Sequence, residues 1–310
     1  MLDLKEVNNV DIDEIKQIAF DISIFASGYE SRSVFLAKNL DLQSFGKTIV
    51  FGFAEYKGNE VRKTNDSYYE SNSINIAIVS SQEEKDIYDY LITVFKEFED
   101  KKEITILIDY TSMSRLWYSG ILNFVRYQEK EKITVYFNYS LGKYTSEFLD
   151  YSYTSINSLP SHEGSLSSNN KTLLVLAIGF SPYLVQSVIE EIEPNQTIGI
   201  LPIPNILKEY EEISEKIKDN ILTKDIDDWI KCPINNLENI FRTYAELASN
   251  NVHRKDLIFL SLGPKIFTLA SIIVAQRFEQ VTCLYLKSGN GSTEDVGATG
   301  DFICNRITYS

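Results

Sequence analysis

Strand-like apolar runs alternate with helix-like segments through the first half of the chain, and this alternation restricts the fold more than any other feature. The runs are ISIFA at 22–26, TIVFGF at 48–53, INIAIV at 74–79, ITILI at 104–108 and ITVYFNY at 133–139. Helix-like segments lie between them, near 31–39, 82–99 and 115–129. Alternating strand and helix is typical of a parallel sheet covered by helices. The first half is therefore predicted to be an α/β unit.

The same order of elements returns in the second half. Its members are strand-like runs at 173–178, 197–203, 225–232, 257–262 and 281–286, a charged helical stretch at 205–219 and a helix at 235–249. Equivalent positions in the two halves are roughly 150 residues apart, which indicates a repeat of architecture rather than a short-period array. The pairs are Gly28 and Gly179, Gly52 and Ile203, Asp109 and Ser261, and Ser140 and Ser288. We predict an α/β protein of two Rossmann-like halves, pseudo-duplicated, with mainly parallel sheets covered by helices; two unrelated α/β domains are the alternative.

A stretch rich in Ser, Asn, Gly and Pro separates the halves. Residues 157–171, NSLPSHEGSLSSNNK, have almost no apolar periodicity, as expected of a linker. At 310 residues the chain is about twice a common domain length. The sequence therefore predicts an N-terminal Rossmann-like domain at 1–156, a linker at 157–171 and a C-terminal Rossmann-like domain at 172–310.

Charge and hydropathy exclude several classes of function. The formal net charge of −14 argues against binding long nucleic acid, because that affinity requires many Lys and Arg contacts to phosphate. A local basic pocket for a small anion is still allowed. The acidic N-terminus and the absence of an apolar run of about eighteen residues predict a cytoplasmic protein without membrane contact.

The cysteines and histidines give no sign of a metal or redox site. Cys232, Cys283 and Cys304 lie far apart without a CxxC pair, and we predict that they are buried as small hydrophobes. His162 and His253 are predicted to be solvated loop residues. No metal and no cofactor are therefore predicted.

Polar residues cluster where the predicted strands end, which is where ligands bind in parallel sheets. In the first half SGYESRS follows the first strand, FAEY the second and DYTSMSR the fourth. In the second half GFSP, SLGPK and LKSGNG occupy similar places. The predicted ligand-binding residues are Gly28, Tyr29, Arg32, Thr111, Ser112, Ser114, Arg115, Gly179, Ser181, Gly263, Lys265 and Lys287.

Common catalytic motifs are missing from the sequence. It contains no GxxxxGK[ST] loop, GxGxxG turn, HExxH pair or GxSxG elbow. The nearest candidates for acid–base catalysis are Glu30 and Asp109, beside the cations Arg32 and Arg115. Carboxylate and guanidinium groups also form bidentate structural pairs, so this set fits either a functional site or an ion-pair network.

The stretch from Asp109 to Arg115, DYTSMSR, carries a resemblance to a known family. Its place after the fourth strand and its Asp-x-Thr-small-x-Ser/Thr-cation order resemble the CRISPR-associated Rossmann-fold (CARF) sensor domains and the related SAVED domains. Those families end this strand in Asp-x-Thr-Gly-Gly-Thr-Lys, whereas Ser112 and Met113 replace the two glycines here. Side chains at these positions keep the backbone further from a phosphate. The turns SGYESRS and GFSP are also similar to the family's nucleotide-holding positions, and SAVED domains look like two such modules in one chain.

The resemblance implies a sensor of cyclic or linear oligonucleotide signals in bacterial antiviral defence. We predict a ligand cleft at the strand carboxyl ends, with phosphates at the cations of the predicted site and bases stacked on Tyr29 and Tyr110. Because the sequence shows no nuclease, protease or membrane segment, either a separate effector protein acts or the chain itself is the enzyme. A homo-oligomer stays open.

Two other functions stay open. One is an enzyme that hydrolyses or transfers a nucleotide or nucleotide-sugar, with Glu30 or Asp109 as acid–base and Arg115 on the leaving phosphate. The other is a non-catalytic adaptor of a defence complex, with the acidic helical stretch 207–220, LKEYEEISEKIKDN, as a partner surface. A sensor should use both halves alike, whereas an enzyme can concentrate its acids in one half.

Overall fold

A computed structural model describes residues 1–143, 153–165, 171–179, 181–203, 216, 218–219, 225–288 and 294–310. The chain divides into two compact units. Unit 1 comprises Met1–Thr145 and Thr293–Ser310, and unit 2 comprises Ser146–Ser292. Each unit is therefore built around its own sheet.

Unit 1 holds a seven-stranded sheet and unit 2 a six-stranded sheet. The strands are β1 (Leu4–Val10), β2 (Ile22–Ser27), β3 (Lys47–Phe53), β4 (Ile76–Val79), β5 (Glu103–Asp109), β6 (Lys132–Gly142), β7 (Tyr153–Ser158), β8 (Lys171–Ala177), β9 (Gln196–Ile203), β10 (Asp228–Pro233), β11 (Lys255–Ser261), β12 (Thr282–Ser288) and β13 (Ala298–Tyr309). The strand order is β1-β13-β6-β5-β2-β3-β4 in unit 1 and β10-β9-β8-β11-β12-β7 in unit 2.

The five parallel strands of the two units share one arrangement. Numbered by their order in the sequence, β2 to β6 and β8 to β12 both lie in the order 3-2-1-4-5. The order reverses between strands one and four, so the switch point lies between β2 and β5 in unit 1 and between β8 and β11 in unit 2. These findings confirm the predicted α/β class with two Rossmann-like halves.

The antiparallel strand beside the fifth parallel strand comes from opposite ends of the sequence in the two units. In unit 1 it is β13, which pairs with β6 from Phe302 opposite Ser140 to Tyr309 opposite Ile133. In unit 2 it is β7, which pairs with β12. Residues 298–310 thus belong to unit 1 and residues 153–158 to unit 2, which differs from the predicted boundaries. An open sheet edge accepts any strand that completes its hydrogen bonds, however distant in sequence.

The described part of the predicted linker belongs to unit 2 and is hydrogen-bonded to β12. The Leu159 N–H donates to Cys283 O at 2.7 Å, and the Cys283 N–H donates to His162 O at 2.8 Å. His162 is 4% exposed, so its prediction as a solvated loop residue is wrong, whereas His253 is exposed as predicted. A polar composition does not prevent burial when the backbone groups find partners.

Helices follow most of the parallel strands. In the described part of the chain they are α1 (Ile12–Lys16), α2 (Glu60–Ser71), α3 (Lys85–Lys96), α4 (Arg115–Arg126), α5 (Pro182–Ile192), α6 (Leu237–Asn251) and α7 (Lys265–Arg277). The predicted helices at 82–99, 115–129 and 235–249 correspond to α3, α4 and α6. The helical stretch predicted at 205–219 lies almost wholly outside the described residues.

The predicted helix at 31–39 is instead a series of 3-10 turns, at Ser31–Val34 and Ala37–Asn39. Its consecutive residues Arg32, Ser33 and Val34 are all buried. A surface helix buries residues three and four apart rather than three in a row, so this segment does not fit one-sided packing.

Helix α7 fixes the end of the loop that follows β11. Every residue from Ile266 to Gln276 is buried, as expected of a helix with apolar residues on all sides. Lys265 is the first residue of this helix and is only partly buried. Its backbone is thus held at the carboxyl end of β11 by a rigid element.

Candidate functional site

The unit 1 rim consists of residues 28–33, 53–56 and 109–115, at the carboxyl ends of β2, β3 and β5. A Cβ at Gly28 would lie 3.0 Å from the Cβ of Ser112, so the loops after β2 and β5 meet at the switch point. The structure therefore brings together SGYESRS and DYTSMSR, two of the three polar clusters that were predicted for the first half.

Glu30 and Arg32 form a bidentate ion pair in this rim. Arg32 Nε donates to Glu30 Oε2 at 3.0 Å, and Nη2 donates to Oε1 at 3.2 Å. Nη1 donates to the Tyr139 hydroxyl at 3.2 Å and to Ser140 O at 3.1 Å, while the Ser112 hydroxyl lies 3.4 Å from Glu30 Oε2. Arg32 is only 3% exposed, so its guanidinium is committed to protein partners.

Asp109 and Thr111 organise the loop after β5. Asp109 Oδ1 accepts from the Thr111 N–H at 3.1 Å, from the Thr111 hydroxyl and from Asn138 Nδ2 at 3.2 Å. The Thr111 hydroxyl oxygen in turn accepts from the Ser140 N–H at 2.8 Å. Asp109 is 2% exposed and Thr111 is fully buried. These contacts tie the loop after β5 to β6.

Ser114 and Arg115 lie at the start of α4. The Ser114 hydroxyl caps the helix by accepting from the Trp117 N–H at 3.2 Å. Arg115 is the first helical residue and is partly exposed. The positive end of a helix dipole stabilises anions, so a cation at this first helical position is unfavourable by itself.

Two half-exposed tyrosines line the outer part of the rim. The ring centroids of Tyr29 and Tyr56 are 4.7 Å apart at 61°, and Tyr56 also contacts Phe53 at 5.8 Å. Phe53 stacks on the buried ring of Trp117 at 4.2 Å and 20°. The exposed tyrosines therefore rest on a stack of core aromatic residues.

Tyr110 lies in the core instead. It is 0% exposed and contacts the rings of Tyr118, Phe137 and Tyr139. Burial, followed by the neighbouring tyrosines, raises the pKa of Tyr110 well above its ordinary value. The prediction that Tyr110 stacks on a base is wrong, because core aromatic rings enclose its side chain.

Asn65 of α2 supports the loop after β2, and the sequence did not reveal this role. Its Nδ2 lies 3.0 Å from Gly28 O, 3.0 Å from Glu30 O and 2.9 Å from the Ser33 hydroxyl. Asn65 is buried. One side-chain amide thus fixes both ends of the loop that carries Tyr29.

Arg62 of α2 is a second support that the sequence did not reveal. It is fully buried, with Nε donating to Asp66 Oδ1 at 2.7 Å and Nη1 donating to Phe53 O at 2.8 Å. Ser27 donates to the same Asp66 oxygen at 2.5 Å. A Cβ at Gly52 would lie 2.1 Å from Arg62 Nη2, so only a glycine leaves room for the guanidinium at this position. Polar residues at 62, 65, 66 and 69 share one helical face, which is the only sequence signal for this arrangement.

Glu55 joins the ends of β3 and β4. Its Oε1 accepts from the Ser81 N–H at 2.9 Å and from the hydroxyls of Ser80 and Ser81 at 3.0 and 3.1 Å. Burial alone raises the pKa of the Glu55 carboxyl, but these hydrogen bonds outweigh it and place the pKa below its ordinary value of 4.5. Glu55 is therefore ionised near neutral pH.

The unit 2 rim consists of residues 178–179, 181 and 262–265, at the carboxyl ends of β8 and β11. A Cβ at Gly179 would lie 2.2 Å from Leu262 O, and a Cβ at Gly263 would lie 2.3 Å from Ile178 O. Both positions require glycine because the two backbones touch at the switch point. Lys287 is partly buried on β12, opposite Ser155, and the following predicted residues 289–291 lie outside the described part.

The two helices that start at this rim differ in their caps. The Ser181 hydroxyl caps α5 by accepting from the Leu184 N–H at 3.3 Å. Pro264 occupies the corresponding position of α7, and no side-chain hydrogen bond caps that helix. Pro264 therefore gives the start of α7 no side-chain cap of the kind that Ser181 gives α5.

In the described part of the chain, no group of three or more His, Cys, Asp or Glu side chains is placed to hold a metal. All three cysteines are buried, as predicted. Burial raises the pKa of Cys283 and of Cys304 to about 12, so these thiols stay protonated. Within the same described residues, no helix combines the length and the apolar character needed to cross a membrane.

The two rims belong to a two-unit protein of the Rossmann-like class. Comparisons with known proteins assign the chain to no family. No protein-family model and no curated protein matches the chain. The cytoplasmic domain of a prokaryotic cation chloride cotransporter is 8% identical, with a TM-score of 0.24 over 87% of this chain and 96% of that chain. A protein named as a sarcosine dimethylglycine methyltransferase, from Galdieria sulphuraria, is 8% identical, with a TM-score of 0.23 over 96% and 80%.

A third solved structure is a keto acid-selecting NRPS module with adenylation, ketoreductase and pseudo Asub domains. It is 9% identical, with a TM-score of 0.20 over 84% of this chain and 27% of that chain. At these TM-scores, none of the three similarities carries an argument about function.

Proposed function

We propose that this protein is a nucleotide sensor that binds a phosphate-containing nucleotide, a cyclic or linear oligonucleotide signal, at the strand carboxyl ends. The observation that carries the proposal is the backbone contact between the Gly179 and Gly263 loops at the switch point of unit 2. Because these loops touch, α5 and α7 begin beside each other. The positive ends of both helix dipoles can therefore stabilise the same anion.

The charges at the helix starts support an anionic ligand. Helices that begin away from the switch points carry an acid in the first turn: Glu60 in α2, Asp86 in α3 and Glu238 in α6. The three that begin beside a switch point, α4, α5 and α7, carry none. The first residue is a cation in two of these helices, Arg115 in α4 and Lys265 in α7. An isolated helix is more stable with an acidic residue in its first turn. A bound phosphate would reverse that preference.

The motif DYTSMSR gives the proposal its biological context. Its Asp109 and Thr111 hold the loop after β5 from within, while Ser114 and Arg115 stay partly exposed at the rim. This division of roles suits a loop that presents a helix start to a ligand. The role in antiviral defence, with a separate effector protein, rests on the resemblance to CARF and SAVED domains.

Binding is better supported than catalysis by Glu30 or Asp109. Asp109 is nearly inaccessible, and its Oδ1 already accepts three hydrogen bonds. Glu30 is held by Arg32. A general base must reach the proton that it removes, and neither carboxylate is presented for that contact here. The acidic stretch 207–220 of the adaptor alternative lies largely outside the described residues.

A nucleotide panel tests the proposal. Full-length protein is incubated with mononucleotides, nucleotide triphosphates, and linear and cyclic oligonucleotides, and both the Tm and product formation are recorded. One ligand class is expected to raise the Tm without turnover, since a ligand at 100-fold its Kd stabilises by about 2.7 kcal/mol. Lys265→Ala should remove that shift.

Lys255→Ala is the matched control, because Lys255 lies at the opposite end of β11 and bonds to Gln196 at 2.6 Å. It should leave the ligand-induced shift intact. Turnover that Glu30→Gln or Asp109→Asn abolishes would assign the protein as an enzyme. If no nucleotide changes the Tm of the wild-type protein, the sensor function is wrong.

A further inference from the structure

We propose that the unit 1 rim holds a subsite for the nucleoside part of a ribonucleotide, formed by the Glu55 carboxylate and the Tyr29–Tyr56 ring pair. The choice of ligand class rests on the proposed nucleotide-binding function. The subsite itself stands on a preoriented acceptor and a supported aromatic surface that lie side by side at the ends of β2, β3 and β4.

Glu55 is an exposed acceptor that hydrogen bonds hold in place. Its Oε1 accepts hydrogen bonds from Ser80 and Ser81, and the carboxylate also accepts from its own backbone N–H. The side chain is exposed. An ionised carboxylate only accepts hydrogen bonds, so a ligand that meets it must bring donors such as hydroxyl or amino groups.

The aromatic surface beside it is rigid. Tyr29 and Tyr56 are partly exposed and pack edge to face, with ring centroids 4.7 Å apart. Behind them Phe53 stacks on Trp117, whose Nε1 donates to Ser80 O at 2.8 Å. Ser80 therefore anchors both the aromatic stack and Glu55, which fixes the acceptor relative to the rings.

The chemistry of this pair selects the uncharged part of a nucleotide. A nucleobase stacks on an exposed aromatic face whatever its sequence. The ribose diol and the exocyclic amino groups of bases carry the donors that Glu55 needs. A phosphate would be repelled by the same carboxylate. The subsite is thus expected to bind a ribonucleoside, with its phosphates directed away from Glu55.

Nucleosides without phosphate test the subsite directly. Adenosine, guanosine, cytidine and uridine are titrated into the full-length protein by calorimetry. Tyr56→Ala should weaken the best nucleoside roughly tenfold, because base–aromatic stacking is worth about 1–3 kcal/mol. Tyr56→Phe keeps the ring and should bind like wild type, while Glu55→Gln should weaken binding several-fold.

Matched surface variants serve as controls. Tyr127→Ala removes an exposed tyrosine at the end of α4, and Glu97→Gln removes an exposed carboxylate that pairs with Lys47. Both should leave nucleoside affinity unchanged. Should Tyr56→Ala not fold, Tyr29→Ala tests the same surface from the loop after β2.

Ligand analogues identify the donor. Loss of affinity for 2′,3′-dideoxyadenosine would show that Glu55 accepts from the ribose diol. Retained affinity for it, with loss for a purine riboside lacking the amino group, would assign the base. Wild-type protein that binds no nucleoside, or affinities unchanged by both Tyr56→Ala and Glu55→Gln, would overturn the subsite. Failure of the sensor function is read separately, by the Lys265-dependent Tm shift with phosphate-bearing ligands.

Discussion

The rims of unit 1 and unit 2 have equivalent positions in the fold, but they differ in their helix caps and in their ion pairs. Arg115 and Lys265 are each the first residue of the helix after strand four. In unit 1 that helix is capped by Ser114, and the nearby cation Arg32 is neutralised by Glu30. In unit 2 no side-chain hydrogen bond caps α7, and the described rim residues include no carboxylate.

The difference shows that a repeated architecture does not preserve a repeated role. Unit 1 pairs Arg32 with Glu30 at its switch point, and this ion pair stabilises the rim. Unit 2 places Lys265 at the start of a helix that has no side-chain N-cap, and such a helix start stabilises an external anion. Cations of the two rims are therefore expected to contribute differently to folding and to binding.

The largest expected difference separates Arg32 from Lys265. Arg32→Met leaves the half-buried Glu30 carboxylate without its partner and should lower the free energy of unfolding of unit 1 by about 3–5 kcal/mol. Lys265→Met should change that of unit 2 by less than about 0.5 kcal/mol. Hydrogen exchange read by mass spectrometry reports each unit separately. Equal losses in both variants would remove the contrast between the rims.

A second difference separates the last residues of the two fourth strands. Asp109→Ala removes the acceptor of the Thr111 N–H and of Asn138 Nδ2, and should destabilise unit 1 by about 1.5–3 kcal/mol. Ser261→Ala loses only a 3.5 Å contact to Pro264 O and should cost less than about 1 kcal/mol. Urea denaturation of both variants measures this ranking. A Ser261→Ala loss as large as that of Asp109→Ala would contradict it.

The smallest expected difference lies in the glycines that bring the loops together. Gly179→Ala places a methyl group against the backbone oxygen of Leu262 and should destabilise unit 2 by about 1–3 kcal/mol. Gly28→Ala meets a side chain at 3.0 Å in unit 1 and should cost less. Gly58→Ala, with nothing within 4 Å of the new methyl group, is the control and should not destabilise. Thermal denaturation that gives Gly28→Ala the larger loss would reverse the expected order.

Much of the sheet could be predicted from the sequence because parallel strands buried on both faces read as continuous apolar runs. The edge strands β1 and β7 were missed because LKEVNNV and YTSINS mix polar and apolar residues. Helix α2, EVRKTNDSYYES, was missed for a related reason. Its buried face carries Arg62 and Asn65, whose burial is supported by hydrogen bonds rather than by apolar contact.

The candidate site was predicted as a set of positions and not as a set of roles. Strand-end reasoning located Glu30 and Arg32, and carboxylate–guanidinium pairing was one of its two interpretations. The partners of Arg32 on β6, more than a hundred residues away, had no sequence signal. Glu55 was passed over because its meaning depends on Ser80 and Ser81, which only the pairing of β3 with β4 brings beside it.

The sequence by itself determined the α/β class, the duplication and the strand ends at which polar residues gather, because local periodicity and turn chemistry encode these features. The tertiary structure alone decided which cations are neutralised, which tyrosines face outward and which distant strands complete each sheet. Those outcomes depend on contacts between segments far apart in the chain, where burial and hydrogen bonding, rather than residue type, set the role of a side chain.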